Sequence, residues 1–144
     1  MGKEDGCLIC EKQKGIAYHP PGGYIYKGRY FAVCHAPLNA GPAGTLFIES
    51  RRHLLDYTEM NANELAAYGP LLKRVYTHLR AITGAERIYQ VAMIDGVAHF
   101  HCWLVPRRRS DTVKGIRFLA MDLTADESTA MEIVNEMRTA MAHA

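Results

Sequence analysis

The sequence has no apolar run that approaches the ~20 residues a membrane-spanning helix needs, so no membrane partner is expected. Residues 1–6 contain no hydrophobic segment of a secretion signal, which leaves the cytoplasm as the expected compartment. There is no internal repeat and no low-complexity segment. The sequence also lacks a large excess of charge of one sign, because its 17 Lys and Arg residues nearly balance its 15 Asp and Glu residues and give a formal net charge of +2. Nucleic-acid binding by charge alone is therefore not expected.

The composition is that of a globular protein. The 144 residues are 49% hydrophobic and 22% charged, which is enough apolar material for one core. We predict one domain over residues 1–144. Residues 1–22 form an N-terminal segment with a candidate metal-binding knuckle, and residues 110–144 form a C-terminal extension that carries a helix.

Hydrophobic periodicity predicts five short strands. Residues 24–26 and 30–34 have the pattern of a hairpin, and residues 45–49 are apolar enough for a central strand. Residues 87–94 and 98–106 flank Asp95-Gly96, a dipeptide typical of a tight hairpin turn. Because hairpin signals outnumber crossover units, we predict an α+β fold with a mainly antiparallel sheet of about five strands.

Two helices are predicted beside the strands. The first covers residues 61–83, with a capping box from Asn61 to Glu64, a left-handed end at Gly84 and a kink or new start at Pro70. Its apolar stripe comprises Leu65, Tyr68, Leu72, Val75, Leu79 and Ile82. The second follows a capping box from Thr124 to Glu127 and carries a stripe of Met131, Val134, Met137 and Met141.

The pair Cys7-x-x-Cys10 has the spacing with which two thiolates grip one soft metal ion. In a chain expected to be cytoplasmic, metal ligation is favoured over a disulfide. A structural zinc needs four ligands, and His53 and His99 are candidates for the other two. The alternative interpretation is that both cysteines are incidental small hydrophobic residues of a helical turn.

A second cluster is His99-Phe100-His101-Cys102-Trp103. Alternate residues of a strand share one face, so the two imidazoles project side by side with Cα atoms ~6.7 Å apart. They could ligate one metal together, or one could bind a metal while the other does chemistry. The alternative is one satisfied core histidine and one exposed histidine. We favour function, because unpartnered imidazoles in a buried strand are costly.

These residues carry a resemblance to a known family. The run from His99 to Arg107, HFHCWLVPR, resembles the motif of the histidine triad superfamily, and residues 44–53 are similar to the family's strand that ends in a basic residue and a histidine. Cys7-x-x-Cys10 is similar to the zinc-binding branch, which includes hexose-1-phosphate uridylyltransferases. The resemblance spans Cys7 to Arg107 and leaves the C-terminal helix outside it.

The resemblance implies an antiparallel α+β fold, commonly paired as a homodimer. It implies zinc bound by Cys7, Cys10, His53 and His99. It also implies that His101 attacks the α-phosphorus of a nucleotide or nucleoside phosphate and becomes transiently nucleotidylated, so that the protein would be a nucleotide hydrolase or nucleotidyltransferase. We further expect Trp103 in the catalytic site and both Phe31 and Arg107 at the substrate.

The sequence departs from the family pattern at three places. Trp103 replaces the third histidine, and an indole can donate one hydrogen bond but cannot shuttle a proton. Residues 95–98 replace the polar stretch that precedes the motif, and the ribose-binding aspartate has no counterpart, with Cys34 or His35 falling nearby. A catalytically weak or inactive nucleotide-binding protein therefore remains the alternative function. A zinc-stabilised nucleic-acid module that uses Arg51, Arg52 and residues 107–109 is a more distant one.

Overall fold

The computed structural model describes residues 6–143. The first five residues, on which the expectation about secretion partly rests, and Ala144 lie outside the described residues. The elements in chain order are α1 (Leu8–Gln13), β1 (Tyr26–Lys27), β2 (Phe31–His35), β3 (Leu46–Ser50), α2 (Ala62–Thr83), β4 (Ala85–Val91), β5 (His101–Arg108), α3 (Ile116–Leu119) and α4 (Glu127–Ala142). None of these helices has the combined length and apolarity that crossing a bilayer requires.

The five strands form one open antiparallel sheet in the order β1-β2-β3-β5-β4. This confirms the predicted α+β class and the number of strands. β3 lies in the centre, and all five of its residues are buried. Its register places Phe47 opposite Trp103 and Glu49 opposite His101 on β5.

Side-chain alternation gives the two faces of the sheet different tasks. On one face, Leu46 and Ile48 of β3 and Cys102 and Leu104 of β5 join the main core beneath α2 and α4. On the other face, a small cluster of Cys34, Ala36 and Phe47 packs against Trp103. The first face stabilises the fold, which leaves the second face for a site.

The long helix α2 has both predicted ends. The Asn61 side chain accepts a hydrogen bond from the Glu64 amide, the Glu64 carboxylate accepts one from the Asn61 amide, and Gly84 adopts φ 68° at the other end. A new helix start at Pro70, one of the two outcomes predicted there, is wrong, because a single helix runs from Ala62 to Thr83 and contains this proline. The buried stripe is also rotated from the predicted one: Leu71 is buried, whereas Leu65 is 52% exposed.

The predicted tight turn at Asp95-Gly96 is also wrong. β4 ends at Val91 and β5 begins at His101, so the connection is a loop over residues 92–100. The residue with left-handed backbone is Ile94, at φ 60°, and not Gly96. His99 consequently lies just before β5, where the neighbouring Phe100 amide donates to the Leu54 carbonyl (2.7 Å).

The last helix, α4, is capped by a residue other than the one predicted. Asp126 accepts a hydrogen bond from the Thr129 amide at 3.0 Å, so the N-cap lies two residues after the expected Thr124 and the helix begins at Glu127. Its predicted stripe is largely confirmed, since Val134, Met137 and Met141 are buried. These side chains belong to the same hydrophobic cluster as the sheet and α2.

Replacing Asn61 with alanine should lower the free energy of unfolding by about 1 kcal/mol, because the Glu64 amide loses its acceptor. The matched control is Asn63→Ala, an exposed position of the same helical turn whose substitution should have little effect. Urea denaturation of both variants measures the difference. Equal losses would show that the cap contributes no special stability.

Candidate metal centre and active site

Four side chains from three parts of the chain meet at one end of the sheet. The thiols of Cys7 and Cys10, at the start of α1, face the Nδ1 atoms of His53 and His99, and all four ligand atoms lie within 4.8 Å of one another. Cys10 Sγ is 3.3 Å from His53 Nδ1 and 3.5 Å from His99 Nδ1, and the two Nδ1 atoms are 3.2 Å apart. The four predicted metal ligands are therefore brought together.

The separations fit a tetrahedral zinc ion. Zn–S bonds of ~2.3 Å and Zn–N bonds of ~2.0–2.1 Å at tetrahedral angles require S···N distances of ~3.5 Å and N···N distances of ~3.4 Å. The donor set of two thiolates and two imidazoles is one that zinc prefers. The cluster is thus consistent with a closed zinc site in which no position remains for substrate.

Hydrogen bonds prepare the donors for a metal. His99 Nε2 lies 2.7 Å from the Ser50 carbonyl oxygen, which can only accept, so Nε2 carries the proton and Nδ1 keeps its lone pair. Burial is the main cause that lowers the pKa of His99, which favours the neutral ligand form. The Cys10 amide donates to Cys7 Sγ at 3.4 Å, as expected of a metal knuckle.

His101 is oriented by the residue that precedes it by two. Its Nδ1 lies 2.7 Å from the His99 carbonyl oxygen, so Nδ1–H donates there and the lone pair resides on Nε2. The ring is half-buried and lines a cavity of about 580 Å³. His99 thus contributes its ring to the metal cluster and its carbonyl to the orientation of His101.

The cavity next to His101 is mostly apolar. Trp103, which shares the face of His101 on β5, packs edge-on against Phe47 with ring centroids 4.6 Å apart. Phe47 in turn meets the His101 ring at 5.7 Å. The other walls come from α1, residues 18–21 and the 92–100 loop, including Leu8, Ile9, Pro20, Pro21, Met93 and Val97.

A buried polar cluster beside the cavity was not predicted. Glu49 is fully buried and forms an ion pair with the Lys12 ammonium, and its carboxylate also accepts hydrogen bonds from Tyr24 Oη (2.9 Å), Gln13 Nε2 (3.1 Å) and Cys34 Sγ (3.4 Å). Burial, and then the Glu49 charge, raises the pKa of both Tyr24 and Cys34. The signal in the sequence was a glutamate inside a strand predicted to be central.

His35 is a structural histidine on the cavity wall. Its Nδ1–H donates to the Ala36 carbonyl (2.7 Å), and its Nε2 accepts from the Gly44 amide (2.9 Å). Burial lowers its pKa. Both ring nitrogens are thereby committed to the backbone, so His35 does not replace the missing ribose-binding carboxylate.

The structure does not bring Phe31 and Arg107 to this cavity. Phe31 is 2% exposed and packs against Tyr68 and Phe100 in the main core, on the opposite face of the sheet. The buried Arg107 guanidinium forms an ion pair with Glu86 (3.0 Å) and donates to Tyr89 Oη (2.9 Å). Their positions do not support the substrate-binding roles predicted for them.

The arginines of the proposed nucleic-acid surface also have partners within the chain. Arg52 donates to both carboxylate oxygens of Glu64, at 3.1 and 2.8 Å. Arg109 lies 3.6 Å from the Glu86 carboxylate that also pairs with Arg107. Hydrogen bonding to Arg52 lowers the pKa of Glu64, so this partner is charged at neutral pH.

Comparison with solved structures identifies the fold. A zinc-bound histidine triad family protein from Mycobacterium smegmatis superposes with a TM-score of 0.72 at 20% identity, covering 97% of this chain and 96% of that chain. A histidine triad nucleotide-binding protein from Sulfolobus tokodaii gives 0.74 at 14% identity, covering 94% and 92%. A Hit-like protein involved in cell-cycle regulation from Bartonella henselae gives 0.73 at 9% identity, covering 97% and 99%.

No family model matches the chain, and no curated protein sequence matches it. At these identities, the structural likeness confirms the predicted resemblance at the level of the fold. The likeness also extends further along the chain than predicted. A match over 97% of the chain leaves too few residues to omit α4, which the sequence resemblance had excluded.

Replacing Cys10 with alanine should abolish stoichiometric metal binding, because one of four ligands is lost. The wild-type protein should carry one zinc per chain, and a chelator should lower its unfolding temperature. The matched control is Cys102→Ala, which removes a buried thiol of the main core and should keep the metal. Elemental analysis with thermal unfolding checks this, and equal metal content in both variants would contradict it.

Proposed function

We propose that this chain, which has the fold of histidine triad proteins, binds a nucleotide and cleaves or transfers it at the α-phosphate through a covalent nucleotidyl-His101 intermediate. The observation that carries the proposal is the orientation of His101. Its Nδ1–H is held by the His99 carbonyl, so Nε2 is left with a lone pair beside a cavity of about 580 Å³.

The proposed chemistry has two steps. In the first, Nε2 of His101 forms a bond to the α-phosphorus while the bond from phosphorus to the leaving group breaks, and the pair of electrons departs with that group. In the second, water or another acceptor forms a bond to phosphorus and Nε2 leaves. Dividing one displacement into two lowers each barrier, and a lone pair on Nε2 can attack without a separate base.

We propose that zinc is the ion of the Cys7, Cys10, His53 and His99 cluster. A zinc-bound relative of the same fold and the fit of the four donors support this assignment. When bound, zinc supplies structural rigidity and no open coordination position. Fixing His99 would also fix the orientation of His101, because the backbone carbonyl of His99 accepts a hydrogen bond from the His101 ring.

Trp103 stands where the third histidine of the motif would be. It packs on Phe47 and lines the same cavity as His101. Its indole has one N–H donor and cannot deliver and recover a proton, so a departing amine or alcohol must take its proton from solvent. This observation favours a second candidate function, a nucleotide-binding protein with weak or no turnover.

Replacing His101 with asparagine should abolish turnover, because the lone pair on Nε2 is lost. We expect the wild-type protein to acquire one acid-labile nucleotidyl group when incubated with nucleoside phosphoramidates or dinucleoside polyphosphates, as measured by intact mass at neutral pH. The matched control is His78→Asn on α2, which should keep full activity.

Turnover that survives the His101 substitution would rule out the covalent mechanism. The protein has one tryptophan, so fluorescence of Trp103 reports ligand binding independently of turnover. Quenching by a nucleotide with neither product nor adduct after hours would establish the binding function in its place.

Replacing Trp103 with histidine should raise kcat on a nucleoside phosphoramidate by ~10²-fold, because an imidazole can protonate the departing amine. The same variant should gain nothing on a nitrophenyl ester, whose leaving group departs without a proton. Steady-state kinetics on both substrates provides the comparison. An equal gain on both would mean that Trp103 limits access to the cavity and has no bearing on proton transfer.

We also propose that the chain forms a homodimer. β4 is an edge strand of the sheet, and Met93 and Ile116, which line one cavity with Val91 of β4, are 68% and 84% exposed. An exposed strand edge with apolar neighbours is the kind of surface on which a second copy pairs.

A further inference from the structure

The cavity beside His101 has one fixed positive charge. Among the described residues that line it, Lys12 is the single lysine or arginine, and apolar side chains make up most of the remainder. Its side chain is 11% exposed, and its Nζ lies 5.1 Å from the centre of the Phe47 ring. The same ring contacts His101 at 5.7 Å, so Lys12 and His101 flank one aromatic side chain.

Glu49 positions Lys12 but does not use all the N–H donors of the Lys12 ammonium. An ammonium has three N–H donors, and here one is directed at the Glu49 carboxylate and one at Cys34 Sγ (3.5 Å). The Glu49 charge is shared, because Tyr24 and Gln13 donate to the same carboxylate at 2.9 and 3.1 Å. The third N–H of Lys12 has no acceptor among residues 6–143, and Lys12 lines the cavity, so this donor is available to a ligand there.

The position of Lys12 is fixed from the metal side as well. Lys12 follows Cys10 by two residues on α1, and Gln13 donates to the Ser50 carbonyl at 3.0 Å. The helix is thus attached to β3 through Lys12 and Gln13, and its cysteines lie against His53 and His99. A cation attached in this way is preorganised, since it loses little side-chain freedom when an anion arrives.

We propose that Lys12 is the phosphate-binding residue of this site, with its ammonium placed by Glu49 to hold an oxygen of the phosphate that His101 faces. This inference rests on the proposed function. A structural role for the ion pair is the competing explanation, because a buried pair also joins α1 to the sheet.

The test compares ligands with and without the phosphate. The variant K12M/E49Q removes both charges together, which avoids an unpaired buried carboxylate, and the amide oxygen introduced at position 49 still accepts from Tyr24 and Gln13. The probes are the four common nucleoside 5′-monophosphates and the matching nucleosides, with affinity read from the fluorescence of Trp103. The matched control is Lys27→Met, an exposed lysine near Tyr24 outside the cavity.

We expect the double variant to bind the monophosphate about tenfold more weakly and the nucleoside unchanged, as the loss of one charge-assisted hydrogen bond predicts. Lys27→Met should change neither affinity. An equal weakening for both ligands, or no weakening for the monophosphate, would overturn the role of Lys12 while leaving the proposed function in place. Failure of the wild-type protein to bind any monophosphate would overturn both.

Discussion

The convergence of two thiols and two imidazoles is the constraint on which the rest of the site depends. Cys7 caps α1 and Cys10 lies in it, His53 comes from the segment after β3, and His99 comes from the segment before β5. A single ion held by all four would join three stretches of chain that are far apart in sequence. Because ligands must be assembled from an unfolded chain, the binding free energy of such an ion becomes folding free energy.

The two faces of the sheet that is anchored in this way have different roles. Along β5, even-numbered side chains such as Cys102 enter the main core, while His101 and Trp103 face the cavity. β3 repeats the pattern with Ile48 and Glu49. One face of the sheet therefore supplies stability, and the opposite face can carry charges and reactive groups that a close-packed core would exclude.

Local signals predicted the parts of the structure that local interactions determine. The ends of α2 followed from Asn61 and Gly84, since a cap involves residues within one turn, and the strands followed from alternation. The 92–100 loop could not be predicted, because its shape depends on contacts with the distant segment at Leu54. The partner that Glu49 finds in Lys12 depends on packing across the sheet, which residue patterns along the chain do not encode.

The ion pair between Lys12 and Glu49 also limits how this sequence can change over generations. Losing the Lys12 charge alone would leave the fully buried Glu49 carboxylate without its counter-ion, a penalty of ~3–5 kcal/mol, which is a large share of a small domain's stability. A neutral residue at position 12 is therefore expected only together with an uncharged residue at position 49.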